Sequence, residues 1–409
     1  MKHVILAGVC LNEDRNRFAS KMEECKQLCI ACGYETVAEI VQNSMSMDQN
    51  TAFRSGKMEE LVRLVEETQA DGIVFCNTLS VSASSRIAEM TGVSVVDRTA
   101  LILDIFSSRA RTRQAKLQTE MARLQYALPA VSNVKGESER SRGGSVNNRG
   151  AGEMRSALIA RKYRSRISEL KKELANIETR RHEDERRRSK TLLKRVALVG
   201  YTNAGKSSLM NMILERYGGN GSRVMSEDML FATLDTSVRL VQYKQYAFLL
   251  YDTVGFVSDM PEPLLDAFYS TLSIAKEADL LINVIDGHES YEEKTEVTEE
   301  TLRKIGAQDI PVLRVYNKMD LCEHPEMIAG HQLSCRTGEG LDSFMDEIIS
   351  HLYCKEEECQ VFLPYDKMSM FNEYRKVCSI EILEHEEEGI LLKVAGEKTY
   401  LQAFEKYRI

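Results

Sequence analysis

Residues 195–214 place a glycine loop and a lysine between an apolar strand and a helix, an arrangement suited to binding phosphate. Arg195–Val199 reads as the strand and Gly200-Tyr201-Thr202-Asn203-Ala204-Gly205-Lys206-Ser207 follows at once. Ser208-Leu209-Met210-Asn211-Met212-Ile213-Leu214 then has helical spacing. This is G-x4-G-K-[ST] in the strand–loop–helix setting that the motif requires. The glycines let backbone N–H groups wrap a phosphate, and the positive end of the helix adds attraction. Lys206 carries a full charge to the β- and γ-phosphates, which makes it a candidate catalytic residue. The Ser207 hydroxyl is a candidate Mg2+ ligand, and Ser208 closes the phosphate-binding stretch.

A phosphate loop does not choose the base. Asn317-Lys318-Met319-Asp320, after the strand Val312–Tyr316, does. The Asp320 carboxylate can accept two hydrogen bonds from guanine N1–H and its 2-amino group, and adenine offers no such pair. A site built for those bonds rejects a base that lacks them by orders of magnitude. Lys318 can lie along the ring, and Asn317 can tie its loop to the phosphate loop. Ser334-Cys335-Arg336 fits the loop that offers backbone N–H to guanine O6.

Asp252-Thr253-Val254-Gly255 follows the strand Tyr246–Tyr251. There Asp252 should reach Mg2+ through water, and the Gly255 N–H should meet the γ-phosphate. Phe231-Ala232-Thr233-Leu234-Asp235 has the position of a switch whose Thr233 closes over Mg2+ when GTP is bound. Lys206, Thr233 and Gly255 are thus the candidate catalytic residues, and Ser207, Thr233 and Asp252 the candidate metal ligands.

Phe256 stands where many GTPases place a glutamine that orients the attacking water. A phenyl ring cannot do so. Either another group or a bound cation aids hydrolysis, or intrinsic turnover is slow and a partner stimulates it. The Asn203 amide oxygen could hold a monovalent cation such as K+, or Asn203 could simply brace the loop.

The elements around the site define an α/β protein. Val4–Leu6, Thr36–Val41, Gly72–Phe75 and Val93–Val96 read as strands separated by helical patterns over 14–32, 58–69 and 82–91. Strands spaced by helices imply parallel pairing. The spacing predicts one long helix from Thr99 to Leu128, stopped by Pro129, a Gly/Ser/Asn/Arg-rich loop, and a second helix from about Glu153 to Leu192. Two long helices joined by a loop make an antiparallel hairpin. The expected organisation is an N-terminal α/β domain (1–97), a basic helical hairpin (98–194, loop 129–152), a P-loop domain with a mostly parallel sheet (195–354) and a small C-terminal α+β domain (355–409). The last opens on an acidic linker, Lys355-Glu356-Glu357-Glu358, with strands expected at Val377–Leu383 and Gly389–Val394.

The net charge of −8 hides an asymmetry. Residues 98–195 hold 25 Lys and Arg against 11 Asp and Glu, and the rest of the chain is strongly acidic. A basic segment in an acidic protein is the footprint of a polyanion partner such as RNA. Ten cysteines without a secretion signal do not form a disulfide framework. Cys25, Cys29 and Cys32 have an iron–sulfur-like spacing but fall in a helical pattern, where thiols pack as small hydrophobes. The absence of a long apolar run suits a soluble cytoplasmic protein; a monomer with at most weak peripheral membrane association is expected.

The chain resembles the HflX family of ribosome-associated GTPases. The resemblance rests on Gly200–Ser208, Phe231–Asp235 and Asp252–Phe256, with Val96-Asp97-Arg98-Thr99, Leu101–Phe106, Arg109-Ala110 and Leu117–Leu124 outside the nucleotide motifs. It implies an N-terminal domain and hairpin that engage the large ribosomal subunit and its rRNA, and a GTPase acting in ribosome splitting or rescue. The family's Gly-Pro-Gly-Glu is here Gly150-Ala151-Gly152-Glu153, the Asp-Arg-Arg pattern after it is replaced, and Thr236-Ser237 follows Asp235 where the family has proline. A GTP-gated module for another RNA or protein is the alternative.

Overall fold

In the computed structural model, the described residues are 2–12, 15, 17–132, 149–188, 193–218, 237–257, 273–288, 291–353, 356–375 and 377–409. The four N-terminal apolar runs form β1 (Lys2–Leu11), β2 (Tyr34–Ser44), β3 (Gly72–Phe75) and β4 (Ser94–Asp97), all parallel, in the order β2-β1-β3-β4. Parallel neighbours need crossovers, and α1 (Phe18–Ala31), α2 (Ser55–Thr68) and α3 (Val81–Thr91) supply them. Alternate residues of β1 serve two faces. Ile5, Ala7 and Val9 share a core with Met58 and Leu61 of α2 and Ile87 of α3. On the other face Gly8 meets α1 so closely that a Cβ would lie 2.7 Å from Phe18. Cys25 and Cys29 are fully buried on α1.

The helix expected from Thr99 to Leu128 is two helices, α4 (Arg98–Arg109) and α5 (Arg113–Ser132). Ala110 turns extended (φ −62°, ψ 108°), and the Thr112 hydroxyl accepts the Ala115 N–H at 3.1 Å, capping a new helix. Pro129 lies inside α5 instead of stopping it. It falls in the last turn, so the lost hydrogen bond to the Gln125 carbonyl and the crowding by its ring are confined to the end of the helix. Asp97 anchors this region from the end of β4. Its carboxylate accepts from Ala100 N–H (2.8 Å), Leu79 N–H (3.0 Å) and the Tyr126 hydroxyl (2.8 Å). Beside it, Arg98 and Glu24 form a buried ion pair.

Helix α6 (Arg149–Arg188) runs antiparallel to α5. Arg113 pairs with Glu173 at 3.0 Å, and seven residues later Glu120 pairs with Arg166, seven residues earlier, at 2.7 Å.

The second unit is built on β5 (Lys194–Val199), α7 (Lys206–Tyr217), β6 (Ser237–Tyr243), β7 (Tyr246–Asp252), β8 (Leu280–Asp286), α8 (Tyr291–Lys304), β9 (Val312–Asn317), β10 (His331–Gln332) and α9 (Leu341–Leu352). The sheet order is β10-β9-β8-β5-β7-β6, parallel except for the β6–β7 hairpin. Val196 and Leu198 pack with Leu209 and Ile213 of α7, Ile282 of β8 and Phe344 of α9.

The same core continues into an antiparallel sheet, β11 (Glu356–Pro364), β12 (Ser379–His385) and β13 (Gly389–Glu397), in the order β11-β13-β12. The acidic run expected as a linker enters β11 instead, with Glu356–Glu358 paired to Ala395–Glu397. Buried Cys359, Val361 and Leu363 carry the alternation, and charged residues at the exposed edge extend it without cost to the core.

Candidate nucleotide site

Strand β5 delivers the phosphate loop, and two glycines shape it. Gly200 (φ 136°) passes so near β8 that a Cβ would lie 2.3 Å from the Val284 carbonyl. Gly205 (φ 95°) opens α7, and a Cβ there would strike the Asn317 amide nitrogen at 2.1 Å. Asn203 also sits at positive φ, 62°, a conformation that asparagine tolerates better than most residues. Lys206 is buried at the head of α7, and its Nζ donates to the carbonyls of Gly200 (3.0 Å) and Tyr201 (2.7 Å). Burial pushes its ammonium down to about 8, with the Asp252 charge opposing. Ser207 Oγ donates to Asp252 Oδ2 at 2.6 Å, and Asp252 is fully buried at the end of β7. Thr253 Oγ1 donates to the Leu198 carbonyl at 2.7 Å, pinning the turn after β7 to β5. Val254 is buried, and Gly255 lies against the loop, where a Cβ would come 2.7 Å from Thr202 Cα.

The base end is assembled around Asn317. Its Nδ2 donates to the Ala204 carbonyl at 2.9 Å and its Oδ1 accepts the Cys335 N–H at 3.0 Å. One side chain therefore joins the phosphate loop, the Asn317–Asp320 loop and the Ser334–Arg336 loop. Ser334 Oγ donates to Asp320 Oδ1 at 2.7 Å and accepts the Thr337 N–H at 3.2 Å. Arg336 stands 3.9 Å from the other Asp320 oxygen. Lys318 is held in a left-handed conformation (φ 64°), with Nζ 2.8 Å from Asp286 Oδ2. Burial pushes the Cys335 thiol up to about 12.

The structure thus gathers the expected residues of the phosphate loop, the Asp252–Gly255 turn and both base loops at the carboxyl edge of one sheet. Phe231, Ala232, Thr233, Leu234 and Asp235 lie outside the described residues. Sequence reading missed two neighbours. Asp286, which holds Lys318, ends β8 just before Gly287, a strand-end carboxylate that could have been noticed. Asn283, 1% exposed, has no hydrogen-bond partner for either amide atom and lies beside Gly200, 3.2 Å from where its Cβ would be. A single polar residue in the apolar run Leu280–Ile285 was the available signal.

Three family profiles cover the chain in series. They are described as GTP-binding GTPase N-terminal (residues 19–107), GTP-binding GTPase Middle Region (109–188) and 50S ribosome-binding GTPase (195–318). The GTPase HflX of Caldanaerobacter subterraneus subsp. tengcongensis is 36% identical over 378 residues, covering 91% of this chain and 86% of that protein. That of Alkalihalophilus pseudofirmus is 38% identical over 322 residues, covering 78% and 74%. The chain belongs to the HflX family of GTPases. As a member it hydrolyses GTP to GDP and phosphate. Among solved structures it is similar to a GTP-binding protein from Sulfolobus solfataricus in complex with GDP, at 24% identity and a TM-score of 0.44, covering 86% of this chain and 99% of that one. No described helix is long and apolar enough to cross a membrane.

Proposed function

We propose that this HflX-family GTPase is Mg2+-dependent and acts in the cytoplasm on the large ribosomal subunit, in splitting or rescue of ribosomes. In this reading Gly200–Ser208 and Lys206 hold the phosphates, Asp320 reads the guanine edge, and Lys318 and Ser334–Arg336 line the base. Ser207 and Asp252, hard oxygen donors 2.6 Å apart beside Lys206, fit Mg2+. Asp252 would act through water and Thr233 would join them. Bound Mg2+ would neutralise charge on the β- and γ-phosphate oxygens. Asn203 is a candidate ligand for K+, which could offset the lack of a glutamine at Phe256.

The observation that carries the ribosomal part is charge. The segment 98–195 holds 25 basic against 11 acidic residues, and Arg161, Lys162, Lys171 and Lys172 are exposed on α6. Such a helix suits an rRNA backbone, whose binding weakens steeply with salt as counterions are released. The second reading, a GTP-gated module for another partner, draws on the altered Gly150–Glu153 segment.

The GTPase rate against added large subunits separates the two. Stimulation that falls with salt and is lost when those four residues are changed to Glu is expected. Stimulation that survives moves the contact elsewhere. If subunits do not stimulate the wild type, the GTP-gated module replaces this reading.

A further inference from the structure

The main chain of Phe256 is fastened to the phosphate loop at two points. Its N–H donates to the Gly200 carbonyl at 3.1 Å, and its carbonyl accepts the Thr202 N–H at 2.7 Å. The two strands of chain form a parallel bridge, Tyr201 to Phe256. The ring is 1% exposed, so its burial holds the peptide down. The bridge draws Gly255 so close that a Cβ would lie 2.8 Å from Lys206 Nζ. Lys206 meanwhile donates to the Gly200 and Tyr201 carbonyls. The Lys206 amine and Gly255, which carry the two groups a γ-phosphate would use, therefore lie close together. Thr202 Oγ1 is buried with no hydrogen-bond partner. An arriving phosphate oxygen would relieve that unmet donor.

We propose that the Phe256 peptide is a latch on the phosphate loop that the γ-phosphate must displace, so that Phe256 helps to set the preference between GTP and GDP. This rests on the reading of the site as a guanine-nucleotide pocket. A diphosphate ends short of Gly255 and leaves both bridge bonds in place. A triphosphate binds only the unlatched fraction, and its apparent affinity is reduced by that fraction. Phe256 is then a positioning residue: its ring keeps the Gly255 peptide held on the phosphate loop until a γ-phosphate arrives.

Titrations of the full chain with GDP and with a non-hydrolysable GTP analogue test this. A latch closed nine times in ten predicts that Phe256→Ala tightens analogue binding about tenfold relative to GDP. Phe256→Leu, which keeps an apolar plug, should hold the ratio near that of the wild type. Hydrogen exchange of the wild type needs no variant. The Thr202 and Phe256 amides should be protected with GDP and exchange faster with the analogue. Equal changes in both affinities for a folded Phe256→Ala, or equal protection at both amides in the two forms, would overturn the latch. Failure of the wild type to bind either nucleotide would instead overturn the pocket assignment, and the latch with it.

Discussion

Burial sets the charge of Lys206. Its ammonium is pushed down to about 8 from an ordinary 10.5 because it lies inside the protein, and only the Asp252 charge opposes this. Between those values the unfolded chain binds more protons than the folded one, so the nucleotide-free protein gains stability as pH rises through that window. Nucleotide binding has the opposite dependence. Phosphates need the charged amine, so above about pH 8 binding must take up a proton, and affinity should fall by up to about tenfold per pH unit. Calorimetric titrations from pH 7 to 9, in buffers of different ionisation enthalpy, would detect that uptake. A flat profile with no uptake would mean that Lys206 stays charged in the free protein.

Asp320 makes a second case at the same scale. Ser334 already donates to one of its oxygens at 2.7 Å, which anchors that oxygen. In Asp320→Asn the same hydroxyl would hold the amide oxygen and turn the NH2 toward two guanine donors. GTP affinity should drop at least about 100-fold while xanthine nucleotides gain. Unchanged GTP binding would remove Asp320 from the base pocket.

At the scale of elements, the sequence was most legible where apolar periodicity and glycine act alone. The four N-terminal strands and the Gly200–Ser207 loop follow from such patterns. The break between α4 and α5 did not, because a threonine cap and an extended alanine make it without glycine or proline. The bridge from Phe256 to Gly200 and Thr202 was invisible for another reason. Backbone pairing between segments 55 residues apart leaves no mark on side-chain type. Asp97 was hidden differently, since its carboxylate gathers hydrogen bonds from β3's following loop, α4 and α5, partners far apart in sequence. Asp97→Ala removes a helix cap and leaves two other donors without an acceptor. It should cost about 3 kcal/mol in a denaturant melt. A loss below about 0.5 kcal/mol would show that water replaces the carboxylate.

For the molecule as a whole, composition revealed the basic segment but not how the C-terminal sheet is attached. An acidic stretch looked like a linker, yet the residues after it, Val361, Leu392 and Phe404, lie in one continuous core with Val196 and Leu198. The seam is also polar: Lys194 at the start of β5 pairs with Glu397 of β13 at 3.0 Å. Tyr353 stacks on Tyr246 and donates to the Ala247 carbonyl at 3.2 Å. Strand β5 runs from that seam directly into the phosphate loop, so the two sheets should unfold together. Nucleotide that binds only the folded state at 100 times its dissociation constant adds about 2.7 kcal/mol, and a shared core spreads that gain to β13. GDP should therefore slow hydrogen exchange in residues 389–397, although they lie outside the site. In the reverse direction Phe404→Ala, which empties a fully buried position, should cost about 3–5 kcal/mol and speed exchange in β5 and β8 as well as β13. If GDP leaves β13 unchanged and Phe404→Ala leaves β5 unchanged, the C-terminal sheet is an independent folding unit and the shared core carries no cooperativity.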